Sequence, residues 1–219
     1  MKKIFLLGGV SAMLFAASCQ DAPNADQAAV ADAQDVQNLE GVEVPVDLNS
    51  SKVQWVGTKP VGTHTGTIAI KEGTVVLTGD AVTGGQFVLD ATTIQPVDQD
   101  EKGNTKLRAH LLSEDFFEAE TYPELVFEIT NVTEGVQQSE ELVMKDATHT
   151  VTGNLTMKGI TKSITFPAKI ETTDNKVLAQ ANFNIDRTEW NIVYGNDKSL
   201  GDNFINPMIN LDLHVEGSK

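Results

Sequence analysis

Apolar and polar residues alternate with a period of two along most of the chain after residue 48. In the clearest case, Ile209, Leu211, Leu213 and Val215 alternate with polar or charged residues. Because successive side chains of a strand point to opposite faces, such a segment predicts a β-strand with one apolar face. The same alternation occurs around residues 53–55, 67–71, 75–78, 86–92, 125–130, 151–157, 164–170 and 179–185.

The apolar faces of these strands need something to pack against. The pattern contains no long amphipathic helix that would cover them, so the sheet must close on itself or pair with a second sheet. A polar face on each strand is typical of antiparallel sheets, and a closed barrel leaves no unpaired edge. The pattern therefore predicts an all-β fold, an antiparallel barrel of about eight strands. A hairpin turn is predicted at residues 71–74.

One segment does not alternate. Leu107, Leu111 and the pair Leu112 and Phe116 lie at helical spacing, which predicts one short helix near residues 106–113. We expect this helix to cover or plug one end of the barrel.

The N-terminus has the pattern of an export signal. Lys2 and Lys3 precede an apolar stretch over residues 4–15, and small residues follow it. The stretch is too short to span a bilayer, which takes roughly 20 residues. Residues 1–18 are therefore predicted to be a signal peptide.

Cys19 follows directly, and residues 14–19 resemble the lipobox of bacterial lipoproteins. The resemblance implies that diacylglycerol, with acyl chains such as palmitate, is attached to the Cys19 sulfur and that the chain is cut before it. Cys19 is the only cysteine of the chain. Exported proteins usually pair their cysteines, and lipidation would explain why this one is single. An ordinary secreted protein with a chance cysteine at this position is the alternative.

Residues 19–47 differ in composition from the rest of the chain. They contain seven acidic residues and no Lys or Arg, which is typical of extended, disordered segments. We therefore predict a lipidated cysteine and a disordered acidic tether over residues 19–47, followed by one domain over residues 48–219. A short helix over residues 26–38 is the alternative for part of the tether.

The charge of the chain limits its partners. The formal charge is −15, and it becomes −17 without the signal peptide, which contributes two lysines and no acid. This composition offers no basic footprint for nucleic acid, and anionic headgroups would repel the domain. The lipid on Cys19 has to supply the membrane attachment. We expect an exported cell-envelope lipoprotein, facing the periplasm from the outer membrane or lying on the cell surface.

Several groups of residues occur in an order that is specific when they are taken together. They are residues 53–57 with Lys59; Gly62, His64 and Gly66; residues 106–123 followed by Phe127; residues 153–162; and Phe183, Ile185, Asp186, Arg187 and Trp190. In this order they resemble the YceI family of lipocalin-like, polyisoprenoid-binding bacterial proteins, over residues 48–217. The acidic loop over residues 135–146 and the loop around residues 193–202 depart from the family pattern.

The resemblance implies a lipocalin-like barrel with an internal apolar tunnel, and an isoprenoid or another long apolar chain as its ligand. A barrel of about eight strands is also narrow enough to be filled by its own side chains, so a solid core is the alternative. The candidate ligand-binding residues are Phe87, Leu89, Leu111, Phe116, Phe117, Phe127, Ile129, Leu155, Met157, Phe166, Phe183, Ile185, Arg187 and Trp190.

Arg187 is the one charged residue of that set. At a barrel mouth its guanidinium could hold a phosphate headgroup through two hydrogen bonds. The alternatives are a surface ion pair with Asp186 or Glu189, or a stack on the ring of Trp190.

The residues give no sign of catalysis. His64, His110, His149 and His214 are scattered, without the short spacing of a metal site. Nucleotide-binding and nucleophile motifs are absent from the sequence. We expect no enzyme activity, no metal and no cofactor.

The leading prediction is a binding protein that sequesters or carries a long apolar ligand, an isoprenoid, polyprenyl or quinone-like lipid, in the periplasm or at the envelope membrane. One alternative is an enzyme acting on such a lipid through Arg187, His64 or His110. Another is a solid-barrel stress or accessory protein whose loops bind a protein partner. The sequence leaves a homodimer open.

Overall fold

The computed structural model describes residues 21–36, 40–136, 141–173 and 176–218. The predicted signal peptide and Cys19 lie outside these residues. The regular elements are β1 (Asp26–Gln27), β2 (Ala29–Asp32), β3 (Val42–Pro45), β4 (Lys52–Lys59), β5 (Gly62–Thr78), β6 (Ala81–Pro96), α1 (Glu101–Leu112), β7 (Glu124–Glu134), β8 (His149–Met157), β9 (Ile160–Thr172), β10 (Lys176–Asp186), β11 (Met208–Ser218), and two 3-10 helices, Arg187–Trp190 and Lys198–Asn203.

The strands β4 to β11 form a closed antiparallel barrel of eight strands. Each pairs with the next along the chain, and β11 pairs back with β4, where Leu211 lies opposite Trp55. The predicted all-β fold with one short helix is therefore confirmed. Because neighbours in the chain are neighbours in the sheet, short connections are enough to close the barrel.

The strand β5 continues without interruption through residues 71–74, so the hairpin turn predicted there is wrong. The pairing with β6 shifts by one residue between Ile70 and Glu72, which is a β-bulge that bends the long strand. Gly73 does not form a turn; its lack of a side chain allows a neighbouring segment to pack closely against β5. A Cβ atom at this position would lie 2.9 Å from the Cγ2 atom of Val46, in the segment that follows β3.

The helix α1 begins earlier than predicted, at Glu101. Asp100 caps it, because its carboxylate accepts a hydrogen bond of 2.7 Å from the Gly103 N–H. The sequence pattern missed this first turn since apolar spacing begins only at Leu107. The helix packs on β6, where the Nε–H of Arg108 donates to the Ile94 carbonyl at 3.1 Å. Among the described residues, no helix is long and apolar enough to cross a membrane.

The barrel has a seam between β9 and β10, which pair over only four residue pairs next to their connecting turn. The N-terminal strands fill the gap beyond them. The strand β1 pairs in parallel with β10, Asp26 lying opposite Phe183, and β2 pairs antiparallel with β9, Ala29 lying opposite Thr165. We call residues 21–36 the seam segment.

Two buried asparagine side chains bind the backbone of the seam segment. The Asn154 amide donates to the Gln34 carbonyl at 2.7 Å and accepts from the Gln34 N–H at 2.9 Å. The Asn184 amide donates to the carbonyls of Pro23, at 2.9 Å, and Ala25, at 3.4 Å. Buried amides of this kind need such partners, so the segment is part of the wall.

The prediction of a disordered tether is therefore wrong for the seam segment and for β3, and no helix forms over the described part of residues 26–38. Ala28 and Val44 are fully buried within this stretch. The acidic composition argued for solvation, but the partners that order the seam segment lie more than 100 residues away in the chain, and β3 pairs with β5. The folded domain thus begins well before residue 48.

Asn154→Ala should detach the seam segment, because it removes both hydrogen bonds to Gln34. We expect a loss of about 1–3 kcal/mol in the free energy of unfolding, measured by urea denaturation. Amide hydrogen exchange over residues 26–34 should rise more than in the other strands.

The matched control is Asn131→Ala, an exposed asparagine on β7, which should change stability by less than about 0.5 kcal/mol. Unchanged exchange over residues 26–34 in the Asn154 variant would contradict this role of the amide.

Candidate functional site

The inner face of the barrel encloses a cavity of about 650 Å³. This volume lies within the range of about 300–1,000 Å³ that is usual for small-molecule sites. The barrel is not filled by its own side chains, so the solid-core alternative is wrong. The cavity is the candidate functional site.

Most of the predicted ligand-binding residues line this cavity, because the alternation along each strand places them on its inner face. Their role in binding a ligand stays a prediction. The predicted residues that line the cavity are Phe87, Leu89, Leu111, Phe116, Phe117, Phe127, Ile129, Leu155, Met157, Phe166, Phe183, Ile185 and Arg187.

Trp190 is the exception and does not lie on the cavity wall. It is completely buried, and its indole N–H donates to the Leu155 carbonyl at 2.9 Å. The residue belongs to the 3-10 helix that follows β10, so strand alternation does not set its direction. Its role here is to pack the barrel wall.

Four phenylalanine rings follow one another around part of the wall. The ring centroids of Phe87 and Phe127 are 6.4 Å apart, those of Phe127 and Phe166 are 5.9 Å apart, and Phe166 stacks on Phe183 at 4.1 Å. Gly153 makes room for this row, since a Cβ atom there would lie 2.5 Å from the Phe127 ring. Phe166 and Phe183 belong to β9 and β10, so their stack closes the seam from inside.

Polar side chains reach the cavity mainly at the end where β4 and β10 finish and β11 begins. The Asn206 N–H, just before β11, donates to the Thr58 carbonyl on β4 at 2.9 Å and ties this end together. We call this end the helix-side mouth, because α1 contributes to it. Its polar and titratable lining residues are Thr58, Lys59, His64, Gln99, Lys106, His110, Arg187, Tyr194 and Asn203.

Arg187 is buried at this mouth, with 3% of its surface exposed. Its guanidinium lies 5.9 Å from the centroid of the Phe116 ring. The predicted surface pair and the stack on Trp190 are therefore both wrong. The N–H groups of Arg187 donate to the carbonyl oxygens of Ile192, Tyr194 (2.9 Å), Ile205 (3.1 Å) and Asn206 (3.4 Å).

These four bonds anchor the loop that follows β10. They leave one of the five guanidinium N–H groups without a partner among the described residues. Burial lowers the pKa of Arg187, and the charge of Asp186 opposes that shift. The cation thus remains poorly compensated inside the protein.

The two histidines of the mouth each contact a carboxylate. The His64 Nδ1 atom lies 2.9 Å from an Asp98 oxygen, and the His110 Nε2 atom lies 2.9 Å from an Asp115 oxygen. Burial raises the pKa of Asp98, but hydrogen bonds from His64 and from the Thr65 N–H outweigh it and hold that pKa below its usual value. Within the described residues, no three His, Cys, Asp or Glu side chains come together as metal ligands would.

The sequence interpretation did not assign Thr58, Lys59 or Lys106 to the site. Lys59 and Lys106 belonged to the family-like motifs, but only the closed barrel brings them to one mouth. Thr58 borders the cavity, but the inner position on this part of β4 belongs to Gly57, opposite Ile209, and the Thr58 hydroxyl is buried in the wall.

A family model described as the YceI-like domain matches residues 44–217. The structure is similar to that of Burkholderia cenocepacia BcnA, at 19% identity and a TM-score of 0.59, covering 78% of this chain and 98% of that one. It is also similar to a polyisoprenoid binding domain from Saccharophagus degradans implicated in plant cell wall breakdown, at 13% identity and a TM-score of 0.59, covering 82% and 99%.

A further likeness is to the Campylobacter jejuni YceI protein, at 21% identity and a TM-score of 0.50, covering 69% of this chain and 84% of that one. At these identities the solved structures show a shared fold. No curated protein matches the chain.

A bulky residue on the inner wall should shorten the cavity. Ala179 lines it on β10, and Ala179→Trp should weaken the binding of an apolar fluorescent dye by about tenfold, because the indole occupies the space of the dye. Fluorescence titration measures the affinity, and circular dichroism checks the fold.

Ala109→Trp on the exposed face of α1 is the matched control and should bind the dye as the original protein does. Equal dye affinity in both variants would show that the dye binds outside the barrel.

Proposed function

The chain belongs to the YceI-like family, and from this premise we propose that it holds a long-chain lipid, an isoprenoid or quinone-like molecule, inside its barrel and sequesters or carries it at the cell envelope. The observation that carries the proposal is the cavity of about 650 Å³ inside the barrel, with its apolar wall. The family and the fold support a barrel that binds a hydrophobic ligand.

The apolar wall supplies the free energy of binding. Each buried methylene group contributes about 0.8 kcal/mol, so about ten of them provide ~8 kcal/mol, which corresponds to micromolar affinity. Because the backbone already holds the cavity open, little reorganisation opposes this gain. A chain of more than about ten carbons is therefore the kind of ligand that the cavity favours.

The likeness to the Saccharophagus degradans domain, which is described as polyisoprenoid binding, supports an isoprenoid chain. Binding also accounts for the distribution of polar groups better than catalysis does. The titratable lining side chains lie at the helix-side mouth, while the row of Phe87, Phe127, Phe166 and Phe183 has none to act as acid or base.

The proposed location follows from the lipobox-like residues 14–19 and the lipid expected on Cys19. The seam segment changes what that anchor would do. Asp26, the first residue of β1, comes seven residues after Cys19, a span of about 25 Å when fully extended. The lipid would hold the barrel against the membrane surface instead of on a long tether.

Protein purified from its native host should contain a long-chain lipid. We expect organic extraction and mass spectrometry to find an isoprenoid or quinone-like species in a Cys19→Ser background, which removes the anchor lipid from the sample. Adding Ala179→Trp should reduce its amount several-fold, whereas adding Ala109→Trp should not. Equal amounts in both double variants, or no lipid in any sample, would refute the proposal.

Cys19→Ser should also move the protein from the membrane fraction to the soluble fraction, since the acidic domain has no affinity for anionic headgroups of its own. Its thermal unfolding midpoint should match that of the lipidated protein in detergent. A variant that stays with the membranes would show that another element provides the attachment.

A further inference from the structure

The charged residues that line the cavity are opposite in sign to the net charge of the chain. The chain has 31 acidic residues and 16 Lys and Arg residues. Yet among the described residues that line the cavity, none is Asp or Glu, while Lys59, Lys106 and Arg187 are all cationic. The carboxylates nearest the mouth, Asp98 and Asp115, contact His64 and His110, so the lining itself carries positive charge and favours a negatively charged group.

The cations are not neutralised by the protein itself. Neither Lys59 nor Lys106 forms an ion pair within the described part of the chain, and the hydrogen bonds of Arg187 go to neutral carbonyls. Burial lowers the pKa of Arg187, which reflects the unfavourable desolvation of its charge. An anion beside the guanidinium would compensate that charge.

One residue links the end of β4 to Arg187. The Asn206 N–H donates to the Thr58 carbonyl, next to Lys59, at 2.9 Å, and the Asn206 carbonyl accepts from the Arg187 Nε–H at 3.4 Å. Lys106 lies one helical turn before His110, whose ring contacts Phe116 beneath the Arg187 guanidinium. The three cations therefore share the helix-side mouth.

We propose that Lys59, Lys106 and Arg187 bind an anionic headgroup, a carboxylate or a phosphate, at the end of the ligand's apolar chain. The headgroup lies at the helix-side mouth and the chain runs along the phenylalanine row toward the opposite end of the barrel. This inference rests on the proposed function and narrows it, because a neutral headgroup such as a quinone would make no use of these cations.

The test compares ligands of equal chain length on delipidated Cys19→Ser protein. Palmitate, hexadecyl phosphate and hexadecanol each compete with the apolar dye, below their critical micelle concentrations and at low ionic strength. We expect one or both of the anions to bind about tenfold more tightly than the alcohol, and the stronger anion identifies the headgroup chemistry. Inorganic phosphate alone should not displace the dye.

The variant Lys59→Gln/Lys106→Gln should lose this preference while its affinity for hexadecanol stays the same. The matched control is Lys52→Gln/Lys102→Gln, which removes the same charge from the same strand and the same helix at exposed positions that do not line the cavity. The control should keep the preference. If it loses the preference equally, the effect is one of net charge and the inference is wrong.

The outcomes distinguish a failure of the headgroup site from a failure of the lipid-binding function. If palmitate, hexadecyl phosphate and hexadecanol bind equally, the headgroup site is refuted while the lipid-binding barrel stands. If none of them displaces the dye, the lipid-binding function itself fails.

Discussion

The backbone hydrogen bonds between neighbouring strands hold the cavity open, because they fix the circumference of the eight-stranded barrel independently of the side chains inside. The apolar inner residues therefore cannot collapse onto one another. The ring of bonds is weakest at the seam, where β9 and β10 share only four residue pairs. The seam segment completes the ring there, so the N-terminal residues belong to the wall that keeps the cavity in shape.

The seam also links the cavity to the membrane. If Cys19 carries a lipid, the chain enters the barrel wall within about 25 Å of the bilayer surface. Asn154 and Asn184 hold the segment by its backbone, and Ala28 packs into the core. On the other side of the same wall, Phe166 and Phe183 belong to the apolar row that would contact a ligand chain.

Local patterns predicted the features that depend on local geometry. Strand alternation placed Phe127 and Ile129 on the inner face, and helical spacing located the second half of α1. Such local patterns could not predict contacts between distant parts of the chain. The Gln34 backbone is ordered by a side chain 120 residues away, and the buried Trp190, in the 3-10 helix after β10, bonds to the Leu155 carbonyl and does not line the cavity.

The sequence pattern did not predict the polar mouth for the same reason. Lys59 and Lys106 are ordinary surface lysines in the sequence, and nothing marks Thr58 as buried. Only closure of the barrel brings them beside Arg187. Closure also makes the two ends of the cavity different, with cations at one end and apolar side chains along the rest. In the proposed function, this difference orients a long ligand that has one polar end.

A crystal structure of the protein isolated with its native lipid tests the central claim most directly. The account predicts continuous density for a chain along Phe87, Phe127 and Leu155, with its polar end at the helix-side mouth beside Lys59. A barrel whose inner side chains have closed the cavity, or a lipid bound only on the outer surface, would contradict it.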